Sequence, residues 1–198
     1  MDILTAPVAV EETIKNSRFL SELFPLESQA EARNFIKEQK QKYPDAKHVV
    51  HAFIVGSGGE IMGMSDDGEP SGTAGRPVLD VLKGRGCTNV ILTITRWFGG
   101  TLLGTGGLVK AYGGGAKKVI EAADLQKAFS ELVSKTPFSF VVDYALYKPV
   151  KIIMENFSLY EITEDFGTEI KLCGKIKSDE FSLFSEKLKE LSNGKILL

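Results

Sequence analysis

A chain of 198 residues, 43% hydrophobic and 25% charged, has room for one large domain or two small ones, each with its own buried core. No stretch approaches the roughly 20 apolar residues a membrane span needs, and the acidic opening MDILTAPVAVEETIK lacks the basic and apolar runs of a signal peptide; the expected location is the cytoplasm, without membrane contact. A net charge of −2 argues against nucleic-acid binding over the whole surface.

Val8 to Leu26 divides into two extended pieces, VAVEETI and RFLSELFPL, expected to form a hairpin turning at Asn16 and Ser17. Ser28 and Glu31 fit a capping box, and Ala32, Phe35, Ile36 and Gln39 follow at helical spacing until Pro44. HVVHAFIV (His48 to Val55) reads as a strongly apolar strand, with Glu60 to Met64 its short partner after the Gly56–Gly59 turn. Asp66 to Gly75 is a loop, Pro77 suits the first turn of a helix carrying Val78, Val81 and Leu82, and Gly84 and Gly86 end it. NVILTITRWF (Asn89 to Phe98) is the clearest strand. A second glycine loop, GGTLLGTGG, leads into a helix with Leu108, Ala111, Tyr112, Gly115, Ala116, Val119, Ile120 and Ala123 on one face.

Past about Gln126 the composition changes: 17 of the 20 glycines lie between Gly56 and Gly115. The remainder reads as strand (Thr136–Tyr144), helix (Pro149–Phe157), strand (Leu159–Phe166), a tight turn at Gly167 and Thr168, strand (Glu169–Ile176), a helix (Asp179–Leu191) capped by Ser178, and a short strand, Lys195–Leu198. That βαββαβ order is the ferredoxin-like pattern. The expectation is therefore an α+β protein of two domains, 1–130 and 131–198. Cys87 and Cys173, far apart and in apolar surroundings, are expected to be reduced core thiols.

The residues that bear chemistry are concentrated in 65–118. From Arg76 to Lys118 there are seven basic residues and one acid, Asp80, and an acidic cluster of Glu60, Asp66, Asp67 and Glu69 precedes them. In SDDGEPSGTAGR, glycines expose backbone N–H groups while Ser71 and Thr73 are placed to cap the next helix or donate to an anion; a solvated capping loop is the alternative. In RWFGGTLLGTGGLVKAY, glycines precede a helix N-terminus flanked by Arg96 and Lys110, which favours an anion. Neither the P-loop nor the dinucleotide template is met, since Thr105 and Gly106 follow Gly104 and Val109 stands where a third glycine belongs. Gly113, Gly114 and Gly115 each cost about 1 kcal/mol in a helix interior, so the backbone there is expected to lie close to something, either the sheet or a ligand. His48 and His51 point to opposite faces of a strand and do not pair as metal ligands. Asp66, Asp67 and Glu69 are candidates for holding a magnesium ion, against the alternative that they are solvated.

These motifs, Ser65 to Gly75, Arg96-Trp97-Phe98-Gly99-Gly100 and Leu103 to Tyr112, together with Ser17-Arg18-Phe19 and the His48 strand, resemble the signature of the IMPACT/YigZ family, and the likeness extends over nearly the whole chain. Trp97 stands where the family usually has Tyr, Lys110 where Arg is common, and Lys47 where Thr is usual. The resemblance implies a first domain like the second domain of ribosomal protein S5 and domain IV of the translocation elongation factor, and a ferredoxin-like second domain. It implies a role in translation, since eukaryotic members regulate initiation, although through an N-terminal domain of another kind. The expected function is thus a translation-linked regulator binding RNA or the ribosome through a glycine-rich basic surface, without a cofactor and without catalytic residues. The expected contacts are Ser71, Thr73, Arg76, Arg96, Trp97, Gly99, Gly100, Gly104, Gly106, Gly107, Lys110 and Tyr112. A protein-interaction regulator with a protein partner, and a magnesium-dependent enzyme acting on a phosphorylated small substrate, are the alternatives.

Overall fold

The computed structural model describes residues 1–198, which divide into two units, Met1–Leu132 and Val133–Leu198. The class is α+β. In the first unit the elements are β1 (Asp2–Leu4), β2 (Val8–Ile14), β3 (Ser17–Pro25), α1 (Gln29–Lys42), β4 (His48–Val55), β5 (Ile61–Ser65), α2 (Gly75–Arg85), β6 (Cys87–Thr88), β7 (Val90–Trp97), α3 (Thr105–Leu125) and β8 (Phe129–Glu131). An antiparallel sheet of order β2-β3-β7-β4-β5 dominates, and a small second sheet has the order β6-β1-β8.

Both faces of the large sheet are covered, which is why its central strands are apolar almost throughout rather than alternating. Val90, Leu92 and Ile94 of β7 pack with Val78 and Leu82 of α2 and Ala116 and Val119 of α3. Ile91, one residue out of phase, joins Phe53, Leu26 and Ala32 beneath α1, with Phe24, Phe35 and Ile36 packed against them. Towards the C-terminal part of α1 that second face turns polar: Glu22, Gln39, His51, Thr93 and Thr95 each keep a buried polar atom there without a partner.

The β2–β3 hairpin turns at Lys15 and Asn16, one residue earlier than the sequence suggests, and both have positive φ (46° and 66°) as a two-residue turn matching the strand twist requires. Ser28 caps α1, its hydroxyl accepting the Glu31 N–H at 3.2 Å, while the Glu31 carboxylate reaches the Glu27 N–H at 2.7 Å. Each of the eight residues expected on the inner face of α3 is buried. The three helical glycines separate into two kinds. A Cβ on Gly115 would lie 2.7 Å from the Ser21 hydroxyl, so glycine there permits close helix–sheet approach, whereas one on Gly114 would meet nothing within 4 Å.

In the second unit, β9 (Lys135–Val142), α4 (Tyr144–Met154), β10 (Leu159–Phe166), β11 (Ile170–Lys177), a 3-10 turn (Ser178–Glu180) and α5 (Phe181–Leu191) build a three-stranded antiparallel sheet of order β10-β11-β9. Its core joins Phe138, Phe140, Ile170 and Leu172 of the sheet to Val150 of α4 and Phe184 of α5. Three expectations are corrected. Asp143 caps α4 through the Leu146 N–H, so that helix begins earlier and Pro149 lies inside it. Ser178 bonds to the hydroxyls of Ser134 and Thr136 and caps nothing. Lys195–Leu198 forms no strand: after Gly194 turns the chain at φ 83°, the Ile196 N–H donates to the Ser192 hydroxyl, which holds the buried Ile196 against α5. Cys87 is buried and free, its thiol pushed up to about 11 by burial, while Cys173 is only half-buried, beside the Ser139 hydroxyl, and is not a core residue. No helix is long and apolar enough to cross a membrane.

The neighbouring glycines should respond to alanine with opposite signs. Gly114→Ala is expected to stabilise the protein by up to about 1 kcal/mol, and Gly115→Ala to destabilise it by about 1–3 kcal/mol through overpacking, as read from urea unfolding midpoints.

Candidate functional site

Strand register sets three side chains in one row on the α2–α3 face of the sheet. Arg96 of β7 lies opposite Phe19 of β3 and His48 of β4, in phase with Val90, Leu92 and Ile94. The loop after β5 lowers Glu69 into this row. One Glu69 carboxylate oxygen accepts from the Arg96 guanidinium at 2.6 Å and from the Tyr112 hydroxyl at 2.7 Å, and His48 Nε2 stands 3.8 Å from it. Arg96 also donates to the Ser17 hydroxyl at 3.3 Å. Glu69, Arg96 and Tyr112 are 9%, 5% and 0% exposed, so the ion pair sits where desolvation is costly and only full pairing makes it tolerable. Burial, reinforced by the bond to Glu69, pushes the Tyr112 hydroxyl far above its ordinary pKa, and it stays a donor.

The two aspartates beside Glu69 hold its loop in place. Asp66 accepts the backbone N–H groups of Gly72 (2.9 Å), Ala74 (3.0 Å) and Gly75 (2.8 Å), and so caps α2 from nine residues away. Burial alone would raise its pKa, but these bonds outweigh burial and hold it below the usual carboxylate range. Asp67, in a left-handed conformation (φ 45°), accepts the Val49 N–H at 2.6 Å and pairs with Lys40 of α1. Against the effect of burial, Lys40 and that N–H keep its pKa low. The Asp67 carbonyl lies 2.8 Å from His48 Nδ1. Because a carbonyl only accepts, the His48 ring carries its proton on Nδ1, and in the neutral ring Nε2 is a free acceptor.

Around the row opens a cleft of about 410 Å³, whose wall includes Lys47, His48, Arg96, Phe98, Leu102 and Thr105. Helix α3 starts at its edge. The cap residue Gly104 (φ 73°) offers no side chain, and the first turn contains no acid.

Of the expected contact residues, Arg96 and Gly104 line this cleft, and Gly106 and Gly107 follow in the first turn of α3. Others are placed differently. Tyr112 is wholly buried and Arg96 nearly so, and neither presents a surface to a polyanion. Trp97 alternates to the opposite face of the sheet; its indole N–H donates to Asp45 at 2.9 Å and the Arg18 guanidinium lies 3.6 Å over its ring. Thr73 donates its hydroxyl to the Pro70 carbonyl, and α2 is capped by neither Thr73 nor Ser71 but by Asp66. Gly99 serves the fold, since a Cβ there would sit 1.9 Å from the Asn16 carbonyl oxygen; Gly100 takes a φ of 84°. Arg76 pairs with Asp80 along α2 at 2.9 Å. Lys110 lines a separate groove of about 730 Å³ between α2 and α3, with Gly113, Gly114 and Lys117. Asp66, Asp67 and Glu69 are engaged by backbone N–H groups, Lys40, Arg96 and Tyr112, and no cluster of three His, Cys, Asp or Glu side chains is arranged to hold a metal ion. Sequence reasoning missed Ser17, Lys40 and Lys47 as parts of the site; for Ser17 the period-2 phase with Phe19 was an available signal.

Residues 15–120 match the Impact N-terminal domain. The chain is 36% identical over 194 residues to an IMPACT family member of Haemophilus influenzae, with 96% of this chain and 92% of that protein covered. It is 34% identical over 201 residues to the IMPACT family member YigZ of Escherichia coli, with 99% and 95% covered, and 34% identical over 187 residues to YvyE of Bacillus subtilis, with 93% and 83% covered. Among solved structures it is similar to one described as a hypothetical protein, at 33% identity and a TM-score of 0.69, covering 98% of this chain and 93% of that one.

Two outcomes follow from the network. Glu69→Gln strands the buried Arg96 charge and is expected to cost about 3 kcal/mol or more, while Tyr112→Phe costs about 1 kcal/mol, both measured by denaturant unfolding. Asp66 has a lower pKa folded than unfolded, so its contribution is present above about pH 4 and is lost as pH falls through the folded value. Asp66→Asn should accordingly flatten the acid limb of the stability curve below about pH 4.

Proposed function

The chain belongs to the IMPACT family, and we propose on that premise that it is a translation-linked regulatory protein whose first unit binds RNA or the ribosome. The observation that carries the reading is the charge along α2 and α3. Lys83, Lys110 and Lys117 are exposed there and have no acidic partner, whereas Arg76 and Lys118 on the same helices are taken by Asp80 and Glu12. Lys110 and Lys117, seven residues apart, share one side of α3 about 10 Å apart. Between them Gly113 and Gly114 line the groove, where a polynucleotide backbone gains close access to the helix. A row of unpaired lysines favours a polyanion through counterion release and without regard to sequence. The family likeness supplies the link to translation. Arg96, Tyr112 and the acidic loop act indirectly, by shaping the unit rather than by touching the polymer.

Because Trp97 lies on the far side of the sheet, binding is better followed by the fluorescence anisotropy of a labelled single-stranded RNA. Affinity should fall with salt on a log–log slope of about −2, and Lys110→Ala or Lys117→Ala should each reduce the slope by about 0.7. A salt-independent signal, or none at low salt, overturns the reading; a protein partner retained after nuclease treatment would then favour the interaction-module alternative.

A further inference from the structure

The cleft at the start of α3 contains features that neither the fold nor the lysine row uses. Helix α3 is 21 residues long, and its first-turn N–H groups at Thr105, Gly106 and Gly107 have no side-chain cap. A Cβ on Gly104 or Gly106 would meet nothing within 4 Å, so no packing within the protein demands glycine for space at either position, and a ligand reaches the helix backbone unobstructed. An exposed N-terminus of this kind favours an anion through its free N–H groups and its dipole.

One buried side chain in the same wall adds an independent indication. His48, 9% exposed, has its Nδ1 committed to the Asp67 carbonyl, and its Nε2 is too far from Glu69, at 3.8 Å, for a hydrogen bond. That Nε2, an acceptor in the neutral ring, faces a cleft whose wall His48 forms and is open to a donor group of a ligand there. The Glu69 charge, which would repel an anion, is compensated by Arg96, and Lys47 adds an uncompensated positive charge at the mouth. Beside these polar groups lies apolar surface: Phe98 is 42% and Leu102 83% exposed. The volume of about 410 Å³ falls in the range of small-ligand sites.

We propose that this cleft binds a nucleoside 5′-phosphate, with the phosphate on the first turn of α3 beside Lys47 and the base against Phe98 and Leu102. The same chemistry is presented by a free mononucleotide and by the 5′-phosphorylated end of an RNA. The site is separate from the lysine row, and either stands without the other.

The test is calorimetric titration of the full chain with AMP, adenosine, and a ten-nucleotide RNA bearing either a 5′-phosphate or a 5′-hydroxyl. The informative variant is Gly106→Asp, which adds a carboxylate to the helix turn proposed to hold the phosphate. An acid in the first turn favours the helix, so the melting temperature should hold or rise. Expected are binding of AMP at least about tenfold tighter than of adenosine, and a loss of about tenfold or more in AMP affinity in Gly106→Asp. A preference for the phosphorylated RNA identifies a polymer end as the source; equal binding of the two RNAs with AMP retained identifies the free nucleotide. If AMP and adenosine bind alike, or Gly106→Asp leaves AMP affinity unchanged with the fold intact, the site is refuted while the lysine row stands. AMP discrimination without salt-dependent RNA binding refutes the lysine row and keeps the site.

Discussion

Arg96 and Glu69 meet at 2.6 Å in a place almost closed to water, and the rest of the first unit is arranged around making that contact tolerable. Each charge costs several kcal/mol to desolvate, and the attraction repays this only with good geometry and additional hydrogen bonds. Tyr112 and Ser17 supply those bonds. An apolar replacement of equal volume would serve stability as well. What the ion pair adds is position: it fixes where the loop between β5 and α2 lies against β7 and α3, and so where the mouth of the cleft opens.

Three neighbouring acids divide the work of that loop. Asp66 turns outward to cap α2, Asp67 joins the loop to β4 and α1, and Glu69 turns inward to Arg96. A run of carboxylates that resembles a metal site in composition is therefore distributed over three directions. Two glycines of the loop serve the same end: Gly68 and Gly72 take φ values of 85° and 75°, which let the chain reverse between one anchor and the next.

Much of this was legible beforehand and some was not, for identifiable reasons. The inner face of α3 follows from its period, since a long helix with eight small or apolar positions on one side has one way to pack. The β7 strand was equally plain, but because both of its faces are covered, burial does not alternate along it, and composition alone did not show whether Arg96 and Trp97 face in or out. Arg96 and Tyr112 looked like a phosphate contact and a stacking face; they are instead the buried partners of an acid that sequence alone could not tell from Asp66 and Asp67. The run Gly113–Gly115 left packing and ligand access both open, and the structure gives packing to Gly115 only. In the second unit, Pro149 suggested a helix start, yet the Asp143 cap placed the start earlier.

The members of the buried network, Ser17, His48, Glu69, Arg96 and Tyr112, are drawn from five strands, loops or helices separated by up to 79 residues in direct contact. Such contacts reward the chain only after the intervening loops have closed. As synthesis proceeds from the N-terminus, β3, β4 and the acidic loop all emerge before the residue that completes the hydrogen bonding of Glu69. A nascent chain shorter than 112 residues lacks Tyr112, and so it has the motif loops without the bond that completes the pairing of Glu69. The network is complete only when everything from Ser17 to Tyr112 is present.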